Sequence, residues 1–190
     1  MLRPTSFLWG LSVSCTLAAA DIDLTARYIL TNLLLSSSQS LSSTLFNDTL
    51  LVTSGTSESS QTWYLSGTST PSHYRLHTAQ KGEQYALDVD NYNGKNAIDM
   101  HFYAVQDRTG QYWSFNKQGD GTFKISNNYT GSSIFLDLDE DTLKPTLRAG
   151  DGEGTKWTMK SDADSDGGSD QVGDAFDECN GVFIRVRVRY

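Results

Sequence analysis

Three short markers recur three times, in the same order, along this chain of 190 residues. Tyr28-Ile29-Leu30-Thr31 returns as Tyr74-Arg75-Leu76-His77 and as Phe123-Lys124-Ile125-Ser126. Leu41-Ser42 returns as Leu87-Asp88 and Leu136-Asp137, and Gln61-Thr62-Trp63 as Gln111-Tyr112-Trp113 and Thr155-Lys156-Trp157. The first two markers recur after 46 and then 49 residues, the third after 50 and then 44. A near-constant period of this length describes a supersecondary unit that cannot bury its apolar face alone and needs its copies.

Each marker has the period of a strand, with apolar residues at alternate positions. Leu87 and Val89 share one face while Asp88 points to the other, and Leu136-Asp137-Leu138 repeats the arrangement. Turn signals separate the strands at Ser54-Gly55, Asn93-Gly94, Gly119-Asp120-Gly121 and Gly150-Asp151-Gly152. Short strands at regular spacing predict an all-β sandwich or barrel. Three hairpin-rich units select a closed pseudo-threefold barrel, which also hides its sheet edges. Trp63, Trp113 and Trp157 stay in step with the apolar face and are expected as core anchors. Only Leu24 to Leu35 shows a weak helical period.

The ends read differently. Arg3, the apolar run Phe7 to Leu17 and the small residues Ala18-Ala19-Ala20 have the form of a secretory signal peptide over residues 1–20. The apolar run falls short of the roughly 20 residues of a spanning helix. The chain is therefore expected to be exported, to act outside the cell, and to associate with cell surface or cell wall. The sequons at Asn47 and Asn128 suit glycosylation of an exported protein. Cys15 leaves with the signal and Cys179 remains alone, so stability must come from a hydrophobic core. Residues 161–178 carry seven acids and no base, and 161–190 are expected to form an acidic disordered tail, with an early or misread end to the chain. Within that tail Asp162, Asp164, Asp166, Gly167 and Asp170 imitate a calcium loop, but Gly173 stands where a bidentate Glu belongs. A membrane partner would require an anchor beyond this sequence.

Charge excludes some functions. Residues 21–160 hold 16 acids against 11 bases, with no basic stripe for nucleic acid or anionic membranes. His73, His77 and His101 lie in no metal-ligand spacing, and no G-x-S-x-G elbow occurs. No cofactor, metal or catalytic residue is implied.

The order Tyr-x-Leu, Leu-Asp-Val, Gln-x-Trp resembles the ricin B-type lectins, the QxW-repeat β-trefoils, and among them the secreted fungal members. The resemblance covers residues 24–160 and is best in copy two, Tyr74 to Phe115. It implies a β-trefoil of three four-stranded repeats over residues 21–160, and a non-catalytic module that binds glycan of a cell wall or glycoprotein. In the family a strand Asp accepts sugar hydroxyls, a ring stacks on the sugar and an amide near the Gln-x-Trp completes the contacts. Carried over by position, this makes Asp88 the hydroxyl acceptor, Asp99 a secondary contact, His101 the platform and Gln111 an amide partner. Gly110 stands where the family has Asn, and Asn91 in the following turn could compensate. In copy three Asp137 matches, with Arg148 near the platform position. In copy one Ser42 replaces the carboxylate, which implies a dead site. A structural reading stands beside this one: the Asp side chains cap turns or bond the Gln of the Gln-x-Trp, and Gln61 and Gln111 are internal partners. The same fold also serves protein binding, as a protease inhibitor or a structural surface protein.

Overall fold

The computed structural model describes residues 22–55, 58–90 and 99–161, together with the backbone strands Val172–Asp177 and Val182–Arg187. Residues 1–20, Asn91 and the calcium-like stretch 162–170 lie outside the described residues.

Each repeat supplies four strands. Copy one gives β1 (Tyr28–Asn32), β2 (Gln39–Ser43), β3 (Leu50–Ser54) and β4 (Thr62–Gly67). Copy two gives β5 (Tyr74–Thr78), β6 (Tyr85–Asp90), β7 (Asp99–Ala104) and β8 (Trp113–Lys117). Copy three gives β9 (Phe123–Asn127), β10 (Gly131–Leu138), β11 (Pro145–Ala149) and β12 (Trp157–Ser161). The outer strands of each copy close a six-membered antiparallel ring: β1 pairs with β4, β4 with β5, β5 with β8, β8 with β9, β9 with β12, and β12 with β1. The inner strands form the hairpins β2–β3, β6–β7 and β10–β11. Closure leaves the ring without a free edge, as in a β-trefoil.

The repeated markers are the core. Leu41, Leu87, Leu136, Trp63, Trp113 and Trp157 are all buried. In the ring, the first residue of each opening marker lies opposite its own copy's tryptophan: Tyr28 opposite Trp63, Tyr74 opposite Trp113, Phe123 opposite Trp157. A buried indole N–H needs an acceptor, and all three find the same one. Trp63 Nε1 donates to the Leu41 carbonyl at 2.9 Å, Trp113 Nε1 to Leu87 at 2.9 Å and Trp157 Nε1 to Leu136 at 2.8 Å. This bond ties each hairpin to the barrel, so hairpin and barrel are one folding unit in every copy. The helical period at Leu24 to Leu35 yields to strand β1, because pairing on both edges outweighs weak local preference.

Within the segment expected to be an acidic disordered tail, two short backbone strands are described. Val172–Asp177 (β13) and Val182–Arg187 (β14) pair antiparallel in a sheet of their own, with Asp174 set opposite Arg185. The alternation of Val182 to Arg187 is strand periodicity.

Candidate functional site

The second strand of each copy carries the family's carboxylate position, and the third strand faces it. Register sets Asp88 opposite His101, Asp137 opposite Thr146 and Ser42 opposite Leu51. In copy two, Leu87 and Val89 lie opposite Phe102 and Met100, and all four are buried in the core. The other face of the same hairpin holds Asp88 and Asp90 on β6, and Asp99, His101 and Tyr103 on β7.

That face is only partly open. Asp88, expected as the hydroxyl acceptor, is 0% exposed, and Asp137 is 3% exposed. The cause is the short 3-10 turn before each tryptophan, Thr109–Gln111 in copy two and Glu153–Thr155 in copy three. These turns fold back over the carboxylates. A Cβ on Gly110 would overlap Asp88 Oδ1 and the Val89 carbonyl, and one on Gly154 would overlap Asp137 Oδ1 and the Leu138 carbonyl. Glycine is needed at both places for close approach. Copy one has no carboxylate and carries Ser60 there.

Each buried carboxylate meets a guanidinium. Arg108 Nε lies 3.4 Å from Asp88 Oδ2, and Arg108 Nη2 contacts Asp90 Oδ2. Arg148 Nε lies 3.3 Å from Asp137 Oδ2, and its Nη2 lies 3.1 Å from Asp139 Oδ2. The Arg108 guanidinium carbon is 5.8 Å from the centroid of the Tyr103 ring, and Tyr103 meets His101 edge-on at 5.9 Å. Burial pushes the Asp88 carboxyl above the ordinary carboxylate value, and Arg108 opposes that push. Asp137 is raised in the same way by burial, against Arg148. Burial lowers His101, with Asp88 and Asp99 opposing.

The expected site residues divide accordingly. Gln111 is fully buried and is an internal partner, not an open amide: its Nε2 donates to the Ala104 carbonyl at 2.9 Å and to Asp88 at 3.4 Å, and its Oε1 accepts from Gln106 N. Gln61 does the equivalent work in copy one, donating to Thr53 and Gly55. His101 is half-buried on the hairpin face, and Asp99 is exposed at its edge. Arg148 was expected near the platform position; Thr146 stands opposite Asp137, and Arg148 is instead the ion-pair partner. Asn47 and Asn128 are both exposed. His77 is a structural residue, buried, bonded to the Tyr85 carbonyl and Ser66, and stacked on Tyr64 at 4.9 Å.

Four residues were missed by sequence reasoning. Tyr103, Asp90 and Asp139 each lie two residues beyond a position that was singled out, so strand periodicity could have found them. Arg108 reaches the site only because the chain crosses back through the 3-10 turn, which no local pattern signals. A separate cleft of about 410 Å³ opens between Leu50, Leu51 and Val52 of copy one and Leu143, Lys144 and Pro145 of copy three. No carboxylate of either Asp–Arg pair lines it.

A closed six-strand barrel capped by three hairpins, with a carboxylate at the second strand, is the arrangement the QxW resemblance requires. Residues 59–149 match the ricin-type β-trefoil lectin domain-like family. The match takes in all of copy two and runs into copy three. The designed threefold-symmetric protein ThreeFoil is similar with a TM-score of 0.56 and 20% identity, over 70% of this chain and 96% of that one. The lectin SeviL, bound to asialo-GM1 saccharide, has a TM-score of 0.54 and 17% identity, over 72% of this chain and 98% of that one. A Polyporus squamosus lectin bound to a sialylated epitope has a TM-score of 0.58 and 16% identity, over 71% of this chain and 48% of that one. At these identities the likeness shows the β-trefoil fold alone. This chain spans only 16% of a mosquitocidal holotoxin and 30% of an exo-β-1,3-galactanase from Clostridium thermocellum that share it. No curated protein matches the sequence.

Proposed function

We propose that this chain is a secreted, non-catalytic carbohydrate-binding module whose sites lie in copies two and three, with glycan of a cell wall or glycoprotein as partner. The observation that carries this reading is the polar hairpin face of copy two. There Asp88, Asp90 and Arg108 stand beside the His101–Tyr103 ring pair, with Tyr103 40% exposed. Carboxylate and guanidinium form the strong, directional hydrogen bonds that hydroxyls need. A ring covers sugar C–H surface at little entropic cost. The ricin-type match and the lectin neighbours support the same reading. Copy one, with Ser42 and Leu51, offers neither charge nor ring at these positions. Tyr103, Arg108 and Asp90 are partly exposed, which suits binding better than chemistry that must exclude water.

A glycan array probed with the full chain tests the proposal. Selective binding to one family of glycans is expected, without hydrolysis of the bound glycan. The rival, a protein-binding trefoil, draws on Leu45 at 59% exposure and Phe46 at 87%, both in the copy-one hairpin loop. An array without signal, together with protease inhibition, would favour it.

A further inference from the structure

We propose that His77 is an acid-sensitive latch: protonation of its imidazole loosens the joint between the barrel and the hairpin of copy two, while the matching joints of copies one and three do not respond. The latch lies on the barrel side of copy two and acts whatever the hairpin binds.

The register of the ring sets one residue pair at the same place three times. The residue after each tryptophan faces the fourth residue of an opening marker: Thr158 faces Thr31, Ser114 faces Ser126 and Tyr64 faces His77. Two of these pairs are hydroxyl to hydroxyl. Thr31 Oγ1 contacts Thr158 Oγ1, and Ser114 Oγ lies 2.7 Å from Ser126 Oγ. Neither pair takes up a proton near neutral pH. The third is a ring pair. His77, 2% exposed, stacks on Tyr64 with centroids 4.9 Å and planes 14° apart. Its Nδ1 lies 2.7 Å from the Tyr85 carbonyl and its Nε2 2.8 Å from Ser66 Oγ. Tyr85 opens β6, so the imidazole bridges β4 and β5 of the barrel to the hairpin of copy two. Among the described residues, neither Thr31 nor Ser126 makes a side-chain bond to its own hairpin.

These contacts fix the tautomer. A carbonyl only accepts, so Nδ1 carries the hydrogen and donates to Tyr85, and Nε2 accepts from the Ser66 hydroxyl. A proton arriving at Nε2 turns that acceptor into a donor. Ser66 must then reverse, and its hydroxyl hydrogen loses the one acceptor it has among the described residues. The new charge is also buried, against a ring over which Arg27 already lies at 4.2 Å. The charged groups that bear directly on the imidazole are Arg75, on its own strand, and Glu83, just before β6. Burial holds His77 below the ordinary histidine value and Arg75 adds to this, while the Tyr85 carbonyl and Glu83 oppose it. The unfolded chain therefore binds the proton more tightly. The stability that neutral His77 supplies is present above the ordinary histidine value of about 6.5 and is lost as pH falls below it.

The test uses the full chain. Amide hydrogen exchange, corrected for the intrinsic rate, compares β6 with β2 and β10 from about pH 8 down to about pH 5. Protection of β6 should fall with acid relative to the other two hairpins. In His77→Thr, which gives copy two the residue of copy one, that relative loss should vanish. His101→Asn should keep it, which separates the latch from the histidine of the hairpin itself. Nitrogen-15 spectra of the wild-type imidazoles should show His77 with its hydrogen on Nδ1, and still neutral just below about pH 6.5. Should His77→Thr fail to fold, the wild-type spectra, the wild-type exchange and His101→Asn decide. No acid loss, an equal loss in all three hairpins, a loss that survives His77→Thr or disappears with His101→Asn, or a His77 hydrogen on Nε2, overturns the proposal.

Discussion

Copy one and copies two and three share a backbone and a core but not a polar face. Trp63, Trp113 and Trp157 are buried alike and donate to the same carbonyl of their hairpins. On the other face, copies two and three bury an aspartate under a glycine turn and clamp it with arginine, while copy one has Ser42 and Ser60 at the matching positions. The core is thus maintained threefold and the site twofold. The carboxylate, the glycine and the arginine occur together in copies two and three and are all replaced in copy one. A buried carboxylate without a guanidinium is an uncompensated charge, and a Cβ above it has no room.

The comparison breaks most visibly at the core. Trp63→Ala and Trp113→Ala should both cost about 3–5 kcal/mol, since each removes a fully buried ring and opens a cavity. Chemical denaturation should show similar losses in copy one and copy two; a much smaller loss in either would mean that the copies do not share load. Next come the close-approach glycines. Gly154→Ala should cost about 1–3 kcal/mol by overpacking, while Ser60→Ala in copy one should change stability little. Equal effects would separate the glycine from the carboxylate beneath it.

A smaller effect concerns pH. Burial raises Asp88 above its ordinary value, so the folded protein holds that proton more tightly than the unfolded chain. Its contribution is therefore fully present below the ordinary carboxylate value and is lost as pH rises through the raised one. The stability of wild type relative to Asp88→Asn should fall as pH rises from the ordinary carboxylate value of about 4, measured by denaturant midpoints. A gap that widens as pH rises would mean that Arg108 outweighs burial. Ser42→Ala, at the equivalent place, should show no pH dependence and no change in glycan binding.

The fold was legible because its information is local and repeated: alternation along each strand, and three tryptophans in step with it. Asp88 and Asp137 were legible as positions but not as environments. Alternation places them off the core face correctly, yet says nothing of the 3-10 turn that covers that face. Arg108 was illegible for the same reason, since its place depends on a chain crossing. Arg148 was noticed near the platform position of copy three; its pairing with Asp137 was not, because it depends on the register that sets Thr146 opposite Asp137. Tyr103 and the outer aspartates needed only two more residues of the same alternation.

The central claim is that this trefoil binds sugar in two of its three copies. Titration calorimetry of the full chain, with a monovalent form of the glycan an array selects, measures that directly. The account predicts two sugars bound per chain. Three per chain would show copy one to be active without carboxylate or guanidinium, and none would contradict the carbohydrate-binding reading.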